Sequence, residues 1–297
     1  MPYLITIFFP SICYGCTSIG KFHQYLNNTI YFSSIAWLSY LFICLYYCYI
    51  YYKKKKYIWV LLVLILIYIP GYPLLNFISI ILCIFIKNKP FIRPYKNEFP
   101  GSIEIENHSD KIIQEYQTYV NNNNPECIRT TNPGFKIELT KNDNCWRAIY
   151  LKTNGTIKNE MIEHFPTTIS LLKDSQIHSA FFSILDPGVE IPPHAGYYKG
   201  YLRYHLGVEI PTNDSAYIVC GDEKYKWKKG EGVLFDDMYI HYVKNPSQQK
   251  RVVLYLDIIR ESNPFVNVIN YCGIWLAEHS ILLKLFLKNQ HSQKKIY

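Results

Sequence analysis

No glycine-rich phosphate loop, no dinucleotide fingerprint and no Gly-x-Ser-x-Gly elbow occurs in this sequence, so the commonest nucleotide-binding and serine-hydrolase chemistries drop out. Nine cysteines are present, yet their pattern makes no disulfide framework. Cys44, Cys48 and Cys83 lie in apolar runs, where a thiol serves as a small hydrophobe, and Cys127, Cys145, Cys220 and Cys272 are scattered. Cys13-Tyr14-Gly15-Cys16 has no second pair at metal-ligand spacing. A reducing compartment is therefore the expectation. Beyond the N-terminal third no basic stripe is interleaved with aromatics, and nucleic acid is not an expected partner. A classical signal peptide is also lacking: residues 1–12 have no basic segment, and Pro2 and Pro10 interrupt them.

What the chain has is apolar residues, 49% of 297, concentrated in its first third. Residues 30–52 carry no charge and as a helix would rise about 35 Å, enough to cross a hydrocarbon core of about 30 Å. The tetrad Lys53-Lys54-Lys55-Lys56 separates this run from a second one, residues 57–86, which is broken at Pro70-Gly71-Tyr72-Pro73. A hairpin there keeps the tetrad and a second basic set, Lys87, Lys89, Arg93 and Lys96, on the cytoplasmic face; one long tilted span is the alternative. The net charge of +8 then reflects basic clusters beside anionic headgroups. Residues 1–96 read as a membrane anchor, with the bilayer as partner and the rest of the chain facing the cytoplasm.

Residues 97–297 read as a second domain, opened by Pro90, Pro94 and Pro100-Gly101. A helix is expected over 112–120, and a shorter one within 161–172. Strands are expected over 147–152, 179–185, 200–210, 216–220, 224–228, 232–235 and 251–259, with turns at Asn154-Gly155 and Asp186-Pro187-Gly188. Such spacing indicates a mainly β sandwich or barrel with flanking helices, the last over about 265–288. Asn27, Asn107, Asn154 and Asn213 begin Asn-x-Ser/Thr sequons, which have meaning only if their segments reach a secretory lumen.

His194 and His241 lie in two segments of the β region, with Arg251 ten residues beyond the second. Imidazoles brought together from different strands suit a first-row metal such as Fe(II). An inward arginine can grip a carboxylate with two parallel bonds. Metal and carboxylate clamp together suggest 2-oxoglutarate as co-substrate and an oxygen-activating hydroxylase. Arg203 and His205, two residues apart, point to one face of a strand, and buried groups of this kind need an anion nearby. His108, His164, His178, His279 and His291 belong to no such constellation.

Taken in order, His194-Ala195-Gly196, Leu202-Arg203-Tyr204-His205-Leu206-Gly207, Phe235-Asp236-Asp237 and His241 resemble the aspartyl/asparaginyl β-hydroxylase family, over residues 146–260. Tyr204 and Tyr239-Ile240-His241-Tyr242 look most like its bacterial lipid A 2-hydroxylase branch. The resemblance implies a double-stranded β-helix (jelly-roll) catalytic domain and a dioxygenase using Fe(II), 2-oxoglutarate and O2. It implies that His194 and His241 bind iron and that Arg251 grips the distal carboxylate of 2-oxoglutarate. Ser183, Arg203 and His205 fall where the peptidyl hydroxylases make further 2-oxoglutarate contacts.

Gly196 stands where the usual oxygenase site carries an aspartate. The peptidyl members also have glycine there, and the resemblance implies a site working with two histidines and an open position beside Gly196. Asp236 and Asp237 are candidates to orient a histidine or to replace the missing ligand. The expected substrate is a lipid acyl chain. A protein Asp or Asn side chain is the alternative within the enzyme class, and a non-catalytic carboxylate-binding jelly-roll lies outside it.

Overall fold

Period-two alternation decides which face of this domain is greasy and which carries chemistry. In the computed structural model, which describes residues 72–86, 89–125, 127, 144–196, 198–213 and 215–279, three nine-residue strands lie side by side. They are β3 (Ile177–Leu185), β10 (Arg251–Ile259) and β5 (Tyr201–Glu209). Phe182, Leu254 and Leu206 are register partners across them and are fully buried. Helices cover this face: Tyr116 and Phe165 lie 5.1 and 5.3 Å from the Phe182 ring, centroid to centroid. Residues one step out of phase, among them Ser183, Arg203, His205 and Tyr255, therefore project from the opposite face.

Three more strands complete this sheet. They are β1 (Trp146–Thr153), β2 (Thr156–Ile157) and β8 (Gly232–Phe235), in the order β2-β1-β3-β10-β5-β8. A second sheet runs β4-β9-β6-β7, from β4 (Glu190–His194), β9 (His241–Lys244), β6 (Tyr217–Cys220) and β7 (Glu223–Tyr225). Every paired strand is antiparallel, and the chain alternates between sheets, as in a jelly-roll. The expected mainly β architecture with flanking helices is present. The β1–β2 turn is the expected Asn154-Gly155, with φ of 48° and 75°, the positive values a two-residue hairpin needs and Asn-Gly tolerates.

Three of these strands, the two-residue β2 and also β4 and β9, have no counterpart among the expected ones. Pro192 and Pro193 remove two amide donors from β4, which argues against a strand in sequence; β4 is tolerated because it is the sheet's edge. Among the described residues the α-helices are α1 (Tyr72–Phe85), α2 (Ser102–Asn107), α3 (Ser109–Asn122), α4 (Pro166–Leu171) and α5 (Pro264–His279). α4 begins at Pro166 itself, where the missing amide is harmless.

The chain divides into two units, and the boundary differs from 96/97. Residues 87–196 and 200–263 form the β unit, whereas α5 and residues 197–199 group with the N-terminal segment. In that second unit the Tyr198 hydroxyl donates to the Asn270 carbonyl at 3.1 Å, and its ring abuts Gly273, where any side chain would overlap it. Among the described residues no helix is long and apolar enough to cross a membrane. The span expected over 30–52, the first arm of the 57–86 run and the chain beyond residue 279 lie outside the described residues.

The cysteine reading needs correction. Cys127 and Cys145 are joined by a disulfide, and Cys83 is also disulfide-bonded. Widely spaced cysteines carry no visible pattern, because the pairing depends on Cys127 lying beside β1 through its bridge to Arg147. A loop of this size, 18 residues in separation, gains about 3 kcal/mol of stability from closure.

Candidate active site

His194 ends β4 and His241 opens β9, and the two are direct register partners. Their ring centroids are 4.0 Å apart. His194 Nδ1–H donates to the Pro192 carbonyl at 2.8 Å, and His241 Nδ1–H to the Tyr239 carbonyl at 2.9 Å. A carbonyl only accepts, so both protons sit on Nδ1 and both lone pairs on Nε2, the tautomer a metal requires. Burial, and the His241 ring beside it, pulls the His194 pKa down to about 3; burial pulls His241 down to about 4. Both rings are neutral at physiological pH and competent to bind a cation.

This has a consequence for stability. An unfolded histidine titrates near about 6.5, so the unfolded chain takes up protons that the folded site refuses. The stabilisation is complete above about pH 6.5 and is lost as pH falls toward 4 and then 3. The melting temperature of metal-free protein should drop across this window, and drop less steeply in the His194→Asn, His241→Asn double variant. Parallel profiles would refute the buried neutral pair.

A continuous wall of rings leads away from the histidines. Phe235 lies 5.7 Å from His241 and 4.9 Å from His205, and His205 lies 6.0 Å from Trp227. Trp227 in turn supports Arg251, whose guanidinium carbon is 4.8 Å from its ring. Arg251 is 1% exposed, and no carboxylate pairs with it among the described residues. Its Nη1 reaches only the Ser183 carbonyl and hydroxyl, at 3.3 and 3.4 Å, and its Nε has no partner. Burial alone lowers its pKa to about 9. His205 is 5% exposed, and neither of its ring nitrogens has a hydrogen-bond partner. Desolvation, with Arg251 as the largest nearby charge, holds its pKa well below the ordinary value. A buried cation without a counter-ion beside an unsatisfied imidazole is costly, and an anion seated there would satisfy both.

Arg203, unlike Arg251, is paired with carboxylates. Its Nε donates to Asp237 Oδ2 at 2.8 Å and its Nη1 to Asp257, so two carboxylates already neutralise it. It fixes Asp237, while the uncompensated positive charge sits at Arg251. Asp236 is likewise committed, to Arg260 Nη2 at 3.0 Å and to the Met238 amide at 3.1 Å.

The space beside Gly196 is filled. A Cβ added to Gly196 would overlap the Asp237 carboxylate, and the Gly196 amide donates to the Asp237 carbonyl at 2.6 Å. Asp237 is 4% exposed, and its Oδ1 has no hydrogen-bond partner. The acid absent from position 196 is thus supplied to the same neighbourhood from the segment after β8. Among the described residues no third His, Cys, Asp or Glu joins the histidine pair at ligand spacing. Gly196→Asp should therefore not complete a triad. It should lower stability by about 1–3 kcal/mol through overpacking, and adding Asp237→Ala should recover most of that loss. Melting temperatures of the parent and the two variants test this, and an unchanged value for Gly196→Asp alone would refute it.

The structure brings Ser183, His194, His205, His241 and Arg251 together along one wall, and to these it adds Trp227 and Asp257, which sequence reasoning did not place at the site. For Asp257 a signal existed, since it stands six residues beyond Arg251 on the same strand face. Trp227 follows β7 in irregular chain and gave none.

The aspartyl/asparaginyl β-hydroxylase family model matches residues 106–261. An ornithine lipid ester-linked acyl 2-hydroxylase of Rhizobium tropici is 29% identical over 202 residues, 67% of this chain and 72% of that protein. The human aspartyl/asparaginyl β-hydroxylase is 33% identical over 98 residues, 33% of this chain and 12% of that one. A prolyl-4-hydroxylase structure from Pseudomonas putida overlays with a TM-score of 0.34 at 10% identity, covering 52% of this chain and 88% of that one. With more than half its length matched by the family and the family's motifs lining one buried wall, this chain belongs to the aspartyl/asparaginyl β-hydroxylases.

Proposed function

We propose that this chain is a membrane-anchored Fe(II)- and 2-oxoglutarate-dependent dioxygenase that hydroxylates the acyl chain of a membrane lipid. The observation that carries the co-substrate is Arg251, a buried guanidinium with no carboxylate partner, facing His205 with both ring nitrogens unsatisfied. A dicarboxylate fits this seat. Arg251 and Ser183 would hold its far carboxylate, while His205 lies between that seat and the histidine pair. His194 and His241 would hold iron through Nε2, their rings oriented by Pro192 and Tyr239.

Bound together, iron, 2-oxoglutarate and O2 supply oxidising power: 2-oxoglutarate becomes succinate and CO2, and one C–H bond becomes C–OH. The protein's share is placement and exclusion of water. Phe235, Trp227 and Tyr255 pack around His205, and the Arg203–Asp257 and Arg203–Asp237 pairs hold Asp237 against Gly196.

The lipid assignment rests on the Rhizobium relative and on an apolar face of the helical unit. There Ile84, Phe85, Phe265, Val268, Tyr271 and Trp275 are 47–68% exposed, a surface suited to the headgroup and acyl boundary. Gly196 favours a second reading, a peptidyl hydroxylase, since the resemblance gives the peptidyl members the same glycine. Full-length protein in vesicles, supplied with Fe(II), 2-oxoglutarate and O2, should release succinate and add one oxygen atom to an acyl chain. Succinate coupled only to Asp- or Asn-containing peptides would select the second reading, and no succinate with either would refute both.

A further inference from the structure

The β unit holds two features that hydroxylation does not use. One is the Cys127–Cys145 disulfide, a bond that persists in oxidising compartments and is rare in reducing ones. Cys220, the thiol remaining in the described β unit, is fully buried and shielded from exchange. The other is the sequon Asn154-Gly155-Thr156.

Its geometry is that of an outward display. The turn backbone is held down, with the Gly155 amide donating to the His178 carbonyl at 2.7 Å and the Asn154 amide to Ser179 Oγ at 3.3 Å. Asn154 and Thr156 are exposed, and no hydrogen bond engages the Asn154 side-chain amide. A Cβ added to Gly155 meets nothing within 4 Å, so the hairpin tip opens into free space. The other described sequons are less free. The Asn213 side-chain oxygen accepts from the Ser215 hydroxyl at 2.7 Å, and Asn107 lies in the last turn of α2.

We propose that Asn154 is an N-glycosylation site and that the β unit lies on the lumenal, oxidising side of a secretory membrane. This reverses the cytoplasmic orientation expected from the basic clusters, and it stands whether or not the hydroxylase reading does. In the transfer, Asn154 Nδ2 bonds to the anomeric carbon of a lipid-diphosphate-linked oligosaccharide. The anomeric C–O bond breaks, the lipid diphosphate leaves with the electron pair, and one amide proton is lost to base. The Cys127 and Cys145 thiols give up two electrons and two protons to a disulfide-bearing oxidant of the same compartment, which is reduced to a dithiol.

The full chain should be synthesised in the presence of secretory microsomes. The expected product migrates more slowly, returns to its unmodified position with peptide N-glycosidase, and yields aspartate at position 154 by peptide mass spectrometry. Thr156→Ala should abolish that conversion. It leaves Asn154 in place, which matters because Gln at φ 48° would be strained in Asn154→Gln. Externally added protease should spare the β unit, and Cys127 and Cys145 should resist alkylation until reduced. An asparagine at 154 after glycosidase treatment, or conversion that persists in Thr156→Ala, overturns the site. Digestion of the β unit by external protease overturns the orientation.

Discussion

His241→Ala should abolish iron binding and turnover, and His194→Ala should do the same. The two rings are opposite each other across an antiparallel pair, so each is positioned by the other's strand, and among the described residues neither has a substitute. Loss of residues that merely orient a metal ligand lowers affinity about 10–100-fold, and loss of one of two protein ligands exceeds that. The measurement is Fe(II) or Mn(II) bound per chain, beside succinate release. His241→Asn, nearer in volume, separates ligation from packing: it should keep the fold and still lose the metal. Full metal stoichiometry in either alanine variant would place the centre elsewhere.

Arg251 variants should move binding and stability in opposite directions. The guanidinium is desolvated without a counter-charge in the ligand-free protein, and replacing it with a hydrophobe of similar length removes that cost. Arg251→Met should therefore raise the melting temperature of ligand-free protein. With 2-oxoglutarate present the same change strips a buried carboxylate of its partner, a loss of about 3–5 kcal/mol or roughly two to three and a half orders of magnitude in affinity. The parent should be stabilised by 2-oxoglutarate and Arg251→Met should not. Arg251→Lys should recover binding only in part, since one ammonium cannot replace the planar fork. An arginine that only packs on Trp227 would give the reverse result, lower stability and an unchanged response to 2-oxoglutarate.

These outcomes depend on residues whose legibility in the sequence varied. Strands β3, β5, β8 and β10 announce themselves by apolar, β-branched and aromatic runs bounded by Gly, Pro and Asn. β4 and β9 do not: β4 contains two prolines, and β9 becomes a strand by pairing with β4 on one side and β6 on the other. His194 and His241 were legible because they fall in the motifs that carry the family resemblance. The counter-charges of Arg203 were not legible, because they come from Asp237 and Asp257, 34 and 54 residues away.

The sequence alone determined the periodicity that makes the domain mainly β, the pair of histidines, and the arginine suited to a carboxylate. Such facts are local, carried by residue type and by spacing of two along a strand. The tertiary structure decided which charges are spent and which are left over. It joined Cys127 to Cys145, filled the space beside Gly196 with Asp237, neutralised Arg203 and left Arg251 uncompensated. The reason is physical: the charge balance of a buried group depends on neighbours brought in by strand pairing, and no local pattern encodes them.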